Sequence, residues 1–264
     1  MDERLRPMLP YEWAWSLHPS VLIGTGLLGA LYFYGIGPLR RHHGWPPASP
    51  RQMLSFCAAL LVLLLSLNGP VHDLSDYYLF SVHMAQHLVL TLLFPPLLLA
   101  GTPEWLLRPL LSRPAVVTVA RFLTRPWVAA LVFSVSIAVW HVGPYYDLMM
   151  RDHEVHVATH LMFMATATLM WWPVMSPLPE LPRLSPGLGM LYLFLVGIPM
   201  QIVAALITFA DEVLYPWYVA APRMWGLSPL DDQKLGGLLM WIPGNLWIFG
   251  AIGVLFFQWA KESE

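Results

Sequence analysis

Ser81-Val82-His83-Met84-Ala85-Gln86-His87 lies inside an otherwise apolar run from Tyr77 to Ala100, and the reading of that run decides the fold. About 20 consecutive, mostly apolar residues are enough to cross a bilayer as a helix. On such a helix His83 and His87 stack on one face a turn apart, an arrangement that can hold one metal ion between two imidazoles. Polar side chains in hydrocarbon are costly and are kept mainly where they face a bundle interior. What matters next is which other residues point at these two rings.

Composition supports the membrane setting. The 264 residues are 57% hydrophobic, 13% aromatic and 11% charged, against roughly 25% charged in soluble domains. A net charge of -2 provides no basic surface, so nucleic acid is not expected as a partner. The single cysteine, Cys57, rules out a disulfide or a CxxC thiolate pair within one chain, and its apolar neighbours predict a core thiol. Met1 to His18 has no apolar stretch ending in a small-residue cleavage site, so no cleaved signal is expected. There is no Walker loop, GxSxG elbow or HExxH motif, and Gly187-Leu188-Gly189 lacks the rest of a dinucleotide fingerprint. An enzyme is not expected.

Seven runs are long and apolar enough to predict an all-α, seven-helix membrane domain occupying the whole chain. They cover about 20–37, 53–68, 77–100, 126–141, 155–174, 187–210 and 235–260. Pro95-Pro96, Pro199 and Pro243-Gly244 should bend or end their helices, because proline removes a backbone donor. The stretch 103–125 mixes apolar and basic residues and predicts short interfacial helices. Nine cationic residues (Arg40, Arg41, Arg51, Arg108, Arg113, Arg121, Arg125, Arg183, Lys261) fall on one side of the seven runs. Five (Arg4, Arg6, Arg151, Arg223, Lys234) fall on the other. The positive-inside rule then places the N-terminus outside and the C-terminus in the cytoplasm.

With this topology most histidines share the outer leaflet. His83 and His87 lie in the outer half of the third helix, His141 closes the fourth, and His153, His156 and His160 open the fifth within about 60° of one another. His83 and His160 fall at similar depths, about 10 and 12 Å below the outer helix ends at the standard rise per residue. Two i,i+4 pairs on facing helices with His141 beside them make a cluster that packing alone does not require, and its donors suit copper, zinc or iron. Met84, Met149, Met150, Met162, Met200 and Met240 tilt the choice toward copper, as Cu(I). Gln86, Asp73, Glu154, Asp211, Glu212 and Asp232 are placed to orient ligating rings. His18, His42 and His43 read as solvated or headgroup-facing.

These residues carry a resemblance. His83-Met84-Ala85-Gln86-His87, followed by Phe94-Pro95-Pro96 and on to Gly101-Thr102-Pro103, resembles the first signature of the seven-helix CtaG family of cytochrome c oxidase assembly factors. Trp140-His141 with Tyr145-Tyr146-Asp147, His156 to Phe163 ending in Trp171-Trp172-Pro173, and Asp232 to Gly237 with Met240 to Gly244 are similar to its later signatures, in order. The resemblance implies a multi-pass protein of the bacterial inner membrane that serves haem-copper oxidase and delivers copper to the CuB centre of subunit I. By motif, the implied ligands are His83, His87, His141, His156 and His160, with Asp232 as a further polar partner; His153, an extra histidine beyond the family pattern, and Met84 are secondary candidates read from the residues themselves. Oxidase subunit I is the implied partner in the lipid bilayer; a periplasmic copper donor and a homodimer stay open. Two other readings of the residues also stay open, a bis-histidine haem b redox protein and a metal transporter.

Overall fold

Prolines and small polar caps set the helix starts. In the computed structural model, which describes residues 15–263, α1 (Pro19–Tyr34) passes through a π-helical turn at Gly35–Leu39 into α2 (Arg40–His43). It stops at Gly44 in the left-handed region, φ 66°. A capping box of Ser49 and Gln52 opens α3 (Pro50–Ser66). After a 50° bend comes the short α4 (Gly69–Tyr77). Next, α5 (Phe80–Leu88) continues through a π-helical turn, Val89–Leu93, into α6 (Phe94–Gly101). Short α7 (Glu104–Leu107), a 3-10 turn and α8 (Pro114–Leu123) fill the stretch expected to hold interfacial helices, and a 69° bend leads into α9 (Pro126–Trp140). Then follow α10 (Gly143–Arg151), α11 (His153–Met175), α12 (Pro186–Thr208), a 3-10 turn at Pro216–Val219, and α13 (Pro229–Glu262). No strand occurs among the described residues.

Among the described residues, four continuous helical segments are long and apolar enough to cross a membrane, and up to six if each bent pair counts as one span. The expected fifth span, 155–174, is present as α11 but falls outside that set, because His160, three threonines, two tryptophans and Pro173 lower its hydropathy. Large apolar side chains face outward along the candidate spans, among them Ile23, Leu54, Leu206, Leu246 and Phe257. Exposed apolar area on that scale fits a lipid-facing surface and not a water-facing one. The protein is a multi-pass helical membrane protein. Arg4, Arg6 and most of the Met1–His18 stretch lie outside the described residues.

Inside, α13 packs along α12 and crosses α5, while α11 packs on α9 and α6. Gly236 makes the α5–α13 crossing: a Cβ there would stand 2.5 Å from the Phe80 ring and 3.2 Å from Met84. Only a small residue lets backbones approach this closely. The main core gathers Phe80 and Met84 of α5, Phe163, Met170 and Trp171 of α11, Leu193 of α12, and Tyr215 just before the last 3-10 turn.

Two sequence expectations need correction. Cys57 is exposed, so it is not a core thiol: α3 turns Phe56 and Ala59 inward, and the position between them faces out. His18 is largely enclosed, its side chain 13% exposed, with Nε2 3.9 Å from Asp73 Oδ1. His42 and His43 are exposed as expected.

Candidate metal centre

The site begins with matched helix starts. Asp152 caps α11 by accepting from Glu154 N and Val155 N at 2.9 and 3.1 Å. The start of α5 is capped from another helix: Asp232 of α13 accepts from Phe80 N (2.7 Å), Ser81 N (3.2 Å) and the Ser81 hydroxyl (2.5 Å). His83 and His156 each stand three residues past the first residue of their helix, Phe80 and His153, and His87 and His160 each stand seven past it. Facing helices therefore present two tiers of rings at matched depth.

The rings form one continuous cluster. Ring centroids lie 4.3 Å apart for His83 and His87, 4.5 Å for His156 and His160, 5.6 Å for His83 and His156, 5.6 Å for His87 and His160, and 5.9 Å for His87 and His141. His83 is fully enclosed and the other four are buried. All five implied ligands are brought together.

Neighbouring carbonyls and carboxylates settle which nitrogens carry protons. His141 Nδ1 donates to Ile137 O at 2.7 Å, which leaves Nε2 with its lone pair. His83 Nδ1 faces Ser75 O at 3.3 Å and Asp76 Oδ1 at 3.8 Å, both acceptors, which leaves its Nε2 lone pair toward His87 Nε2 at 2.9 Å. His156 Nδ1 faces Asp76 Oδ2 at 3.6 Å. Four buried ring nitrogens, His87 Nδ1, His141 Nε2, His156 Nε2 and His160 Nε2, have no hydrogen-bond partner among the described residues. Buried polar atoms are nearly always partnered, so four unpartnered nitrogens within one cluster mark donor capacity. Nitrogens of His83, His87 and His160 lie within 4.8 Å of one another, as do donor atoms of Asp76, His83 and His156. Metal–nitrogen bonds in such sites are about 2.0–2.1 Å, so the rings would close in around an ion. The donor set fits a first-row metal ion.

The secondary candidates fare differently. His153 is exposed at the start of α11. Asp232 spends both carboxylate oxygens on the α5 start, so it positions His83 and does not face the rings. Met84 is fully buried against Gly236 at the α5–α13 contact. Of the residues expected to orient rings, Gln86 does so: Nε2 donates to Ser66 O (2.6 Å) and to His72 Nδ1 (3.2 Å). Glu154, Asp211 and Glu212 are exposed.

Sequence reasoning missed α4. Asp76, buried at its end, has His72 Nε2 at 3.4 Å in addition to His83 and His156, and the Ser75 hydroxyl at 2.9 Å from Oδ1. The i,i+4 spacing that singled out the other pairs also joins His72 to Asp76, but Gly69-Pro70 reads as a turn and hid the helix. Above α4 sits an aromatic cover from the segment before α13. Trp217 Nε1 donates to Asp76 O (2.6 Å), Tyr215 to His141 O (2.9 Å) and Tyr218 to Ser75 O (2.7 Å), and Tyr146 reaches Tyr218 at 3.0 Å. Burial pushes the Tyr218 phenol well up from its ordinary pKa, so it stays a donor.

Fold and site together define a class, a multi-pass helical membrane protein that encloses an imidazole–carboxylate cluster. Within that class the chain belongs to the cytochrome c oxidase caa3 assembly factor family (Caa3_CtaG), whose model matches residues 30–262. Uncharacterized proteins of Mycobacterium bovis and Mycobacterium tuberculosis are each 28% identical over 269 residues, covering 93% of this chain and 39% of their own length. One from Mycobacterium leprae is 26% identical over 261 residues, 90% of this chain and 38% of its own. The chain thus spans about two fifths of the length of these curated relatives. No solved structure matches.

Proposed function

We propose that this assembly factor is a non-catalytic copper carrier. It holds Cu(I) in the outer half of a bacterial inner membrane and passes it to the CuB centre of oxidase subunit I. Copper here is cargo. The reading rests on one observation: five buried histidines from α5, the end of α9 and α11 pack ring against ring, and four of their ring nitrogens have no hydrogen-bond partner among the described residues. His83, His87, His141, His156 and His160 are the proposed ligands. The proposal includes seven spans, with α11 as one of them and the N-terminus outside.

The haem b reading is less well supported, because these rings lie against one another and do not flank a flat gap wide enough for a macrocycle. The transporter reading lacks an inward polar path: below His87 the cluster meets Phe163, ring centroids 5.0 Å apart, and the core around Trp171 and Met170. Metal analysis and an optical spectrum of one detergent-purified sample test the proposal. Expected are bound copper and no Soret band, with copper lost when His83, His87, His156 and His160 are all replaced by alanine and the helical circular dichroism is kept. Unchanged copper in that variant rejects the site, and a Soret band favours haem.

A further inference from the structure

His83 divides the cluster in two. Its Nε2 faces the deep pair, 2.9 Å from His87 Nε2, and its Nδ1 faces the opposite way, toward Asp76 Oδ1 at 3.8 Å. Each side has its own complete donor set: His83, His87 and His160 on the deep side, Asp76, His83 and His156 on the outer side. The outer set has a fourth donor in His72, whose Nε2 is 3.4 Å from Asp76 Oδ2.

The two sets differ in charge and in access. Three neutral rings enclose the deep side, where a monovalent ion is less costly to bury than an uncompensated divalent one. On the outer side a buried carboxylate faces three imidazoles at 3.4, 3.8 and 3.6 Å and offsets the charge of an entering ion. Asp76, His72, His156 and His160 also line a cavity of about 420 Å³ between α1, α3, α6 and α11, and the wall of that cavity carries His18 and the exposed His153. His83 and His87 are not on its wall, so an ion arriving from the cavity meets Asp76, His72 and His156, with only His160 of the deep set beside them, before it reaches the other two deep rings.

Resting on the copper-carrier reading, we propose that the chain has two ion positions. One is a deep all-imidazole position, and the other is an outer position built on Asp76, His72 and His156; His83 joins them, and cargo enters and leaves by the outer one. An ion in the outer position takes the place of the ring protons now directed at Asp76. His72 and His156 shift theirs to the other ring nitrogen, and His83, when it binds ions through both nitrogens, gives up its proton as H+ to the cavity and bridges as an imidazolate. With both positions filled, His83 bridges ions roughly 6 Å apart, an imidazole's width plus two bonds of about 2 Å.

The test is a count. The full chain, purified in detergent, is loaded anaerobically with Cu(I) against a competing chelator, and copper per chain is measured by mass spectrometry. Two ions per chain are expected for the unsubstituted protein. Asp76→Asn is expected to hold one and to release it at least about tenfold more slowly, and Asp76→Glu should restore the second. His87→Ala with His160→Ala is expected to hold one, released faster. A single ion in the unsubstituted protein overturns the two-position arrangement and leaves the carrier reading standing, with Asp76 only orienting rings. An unsubstituted protein that holds no copper overturns the carrier reading itself. Because the decisive count is made on the unsubstituted chain, misfolding of a variant does not remove the test.

Discussion

Single backbone carbonyls decide where several side chains of the site go. Thr91 O would take an α-helical bond from residue 95 or a π-helical bond from residue 96, and both are prolines with no N–H to give. Trp171 fills the gap, its Nε1 donating to Thr91 O at 3.0 Å, and so ties α11 to α5 and α6 one turn below the cluster. Ser66 O has the same problem with Pro70 four residues on, and Gln86 answers it, which then aims Gln86 at His72. Trp171→Phe keeps the ring and orphans the carbonyl, at about 1–3 kcal/mol. The expected outcome is a melting midpoint in detergent lowered by several degrees with copper per chain unchanged; an unchanged midpoint would show that Thr91 O finds another donor. The proline pairs were legible in the sequence, as were His83, His87, His156 and His160, because their spacing puts them on one helical face. The partners of those orphan carbonyls were not legible, since 80 residues separate Trp171 from Thr91 and only folded packing brings them together.

At the scale of elements, the cluster is held in register by how α5 begins. Its first amides carry the positive end of the helix dipole and have no intrahelical acceptor. Asp232 supplies a buried negative charge to them from α13, so the last long helix fixes the depth of the rings on α5. Gly236, one turn further along α13, lets Phe80 seat against it. Asp232→Ala is expected to cost about 1–2 kcal/mol, the usual value of a lost cap. Asp232→Asn should recover part of it, since an amide oxygen still accepts. Thermal melting of the two variants checks the order, and equal losses would reduce Asp232 to a charge effect alone. Gly236→Leu should be worse than either, because its side chain must displace the Phe80 ring, at a cost of about 1–3 kcal/mol. The sequence made α5 and α11 visible as helices but hid α4: nine residues with little apolar character, opening on Gly69-Pro70, are too few and too polar to read as a span. That is why neither His72 nor Asp76 stands among the sequence-derived candidates, although both lie against the rings.

At the scale of the whole molecule, the decisive helix is α11. It carries two of the proposed ligands, yet it is not apolar enough to count as a span by composition. A physical reason lies in its surroundings: His156, Thr159, His160, Thr166 and Trp171 are all buried against α4, α5, α6 and α9. Neighbouring helices shield these groups from lipid, so hydropathy understates the ability of α11 to cross. The consequence can be read from two exposed positions, Ser112 between α7 and α8 and Asp211 after α12. Between them lie α9, α11 and α12. If α11 crosses, three crossings separate the positions and they face opposite sides; if it does not, two crossings leave them on the same side. In a Cys57→Ser background, a membrane-impermeant maleimide applied to intact cells is expected to label Asp211→Cys. It should leave Ser112→Cys untouched until the membrane is opened, as the bias of Lys and Arg toward the cytoplasmic loops requires. Labelling of both in intact cells would remove α11 from the bilayer. The matched tiers of His83 with His156 and His87 with His160 would then lie outside hydrocarbon, where imidazoles need no buried partner, and the physical case for a membrane-embedded copper position would be lost.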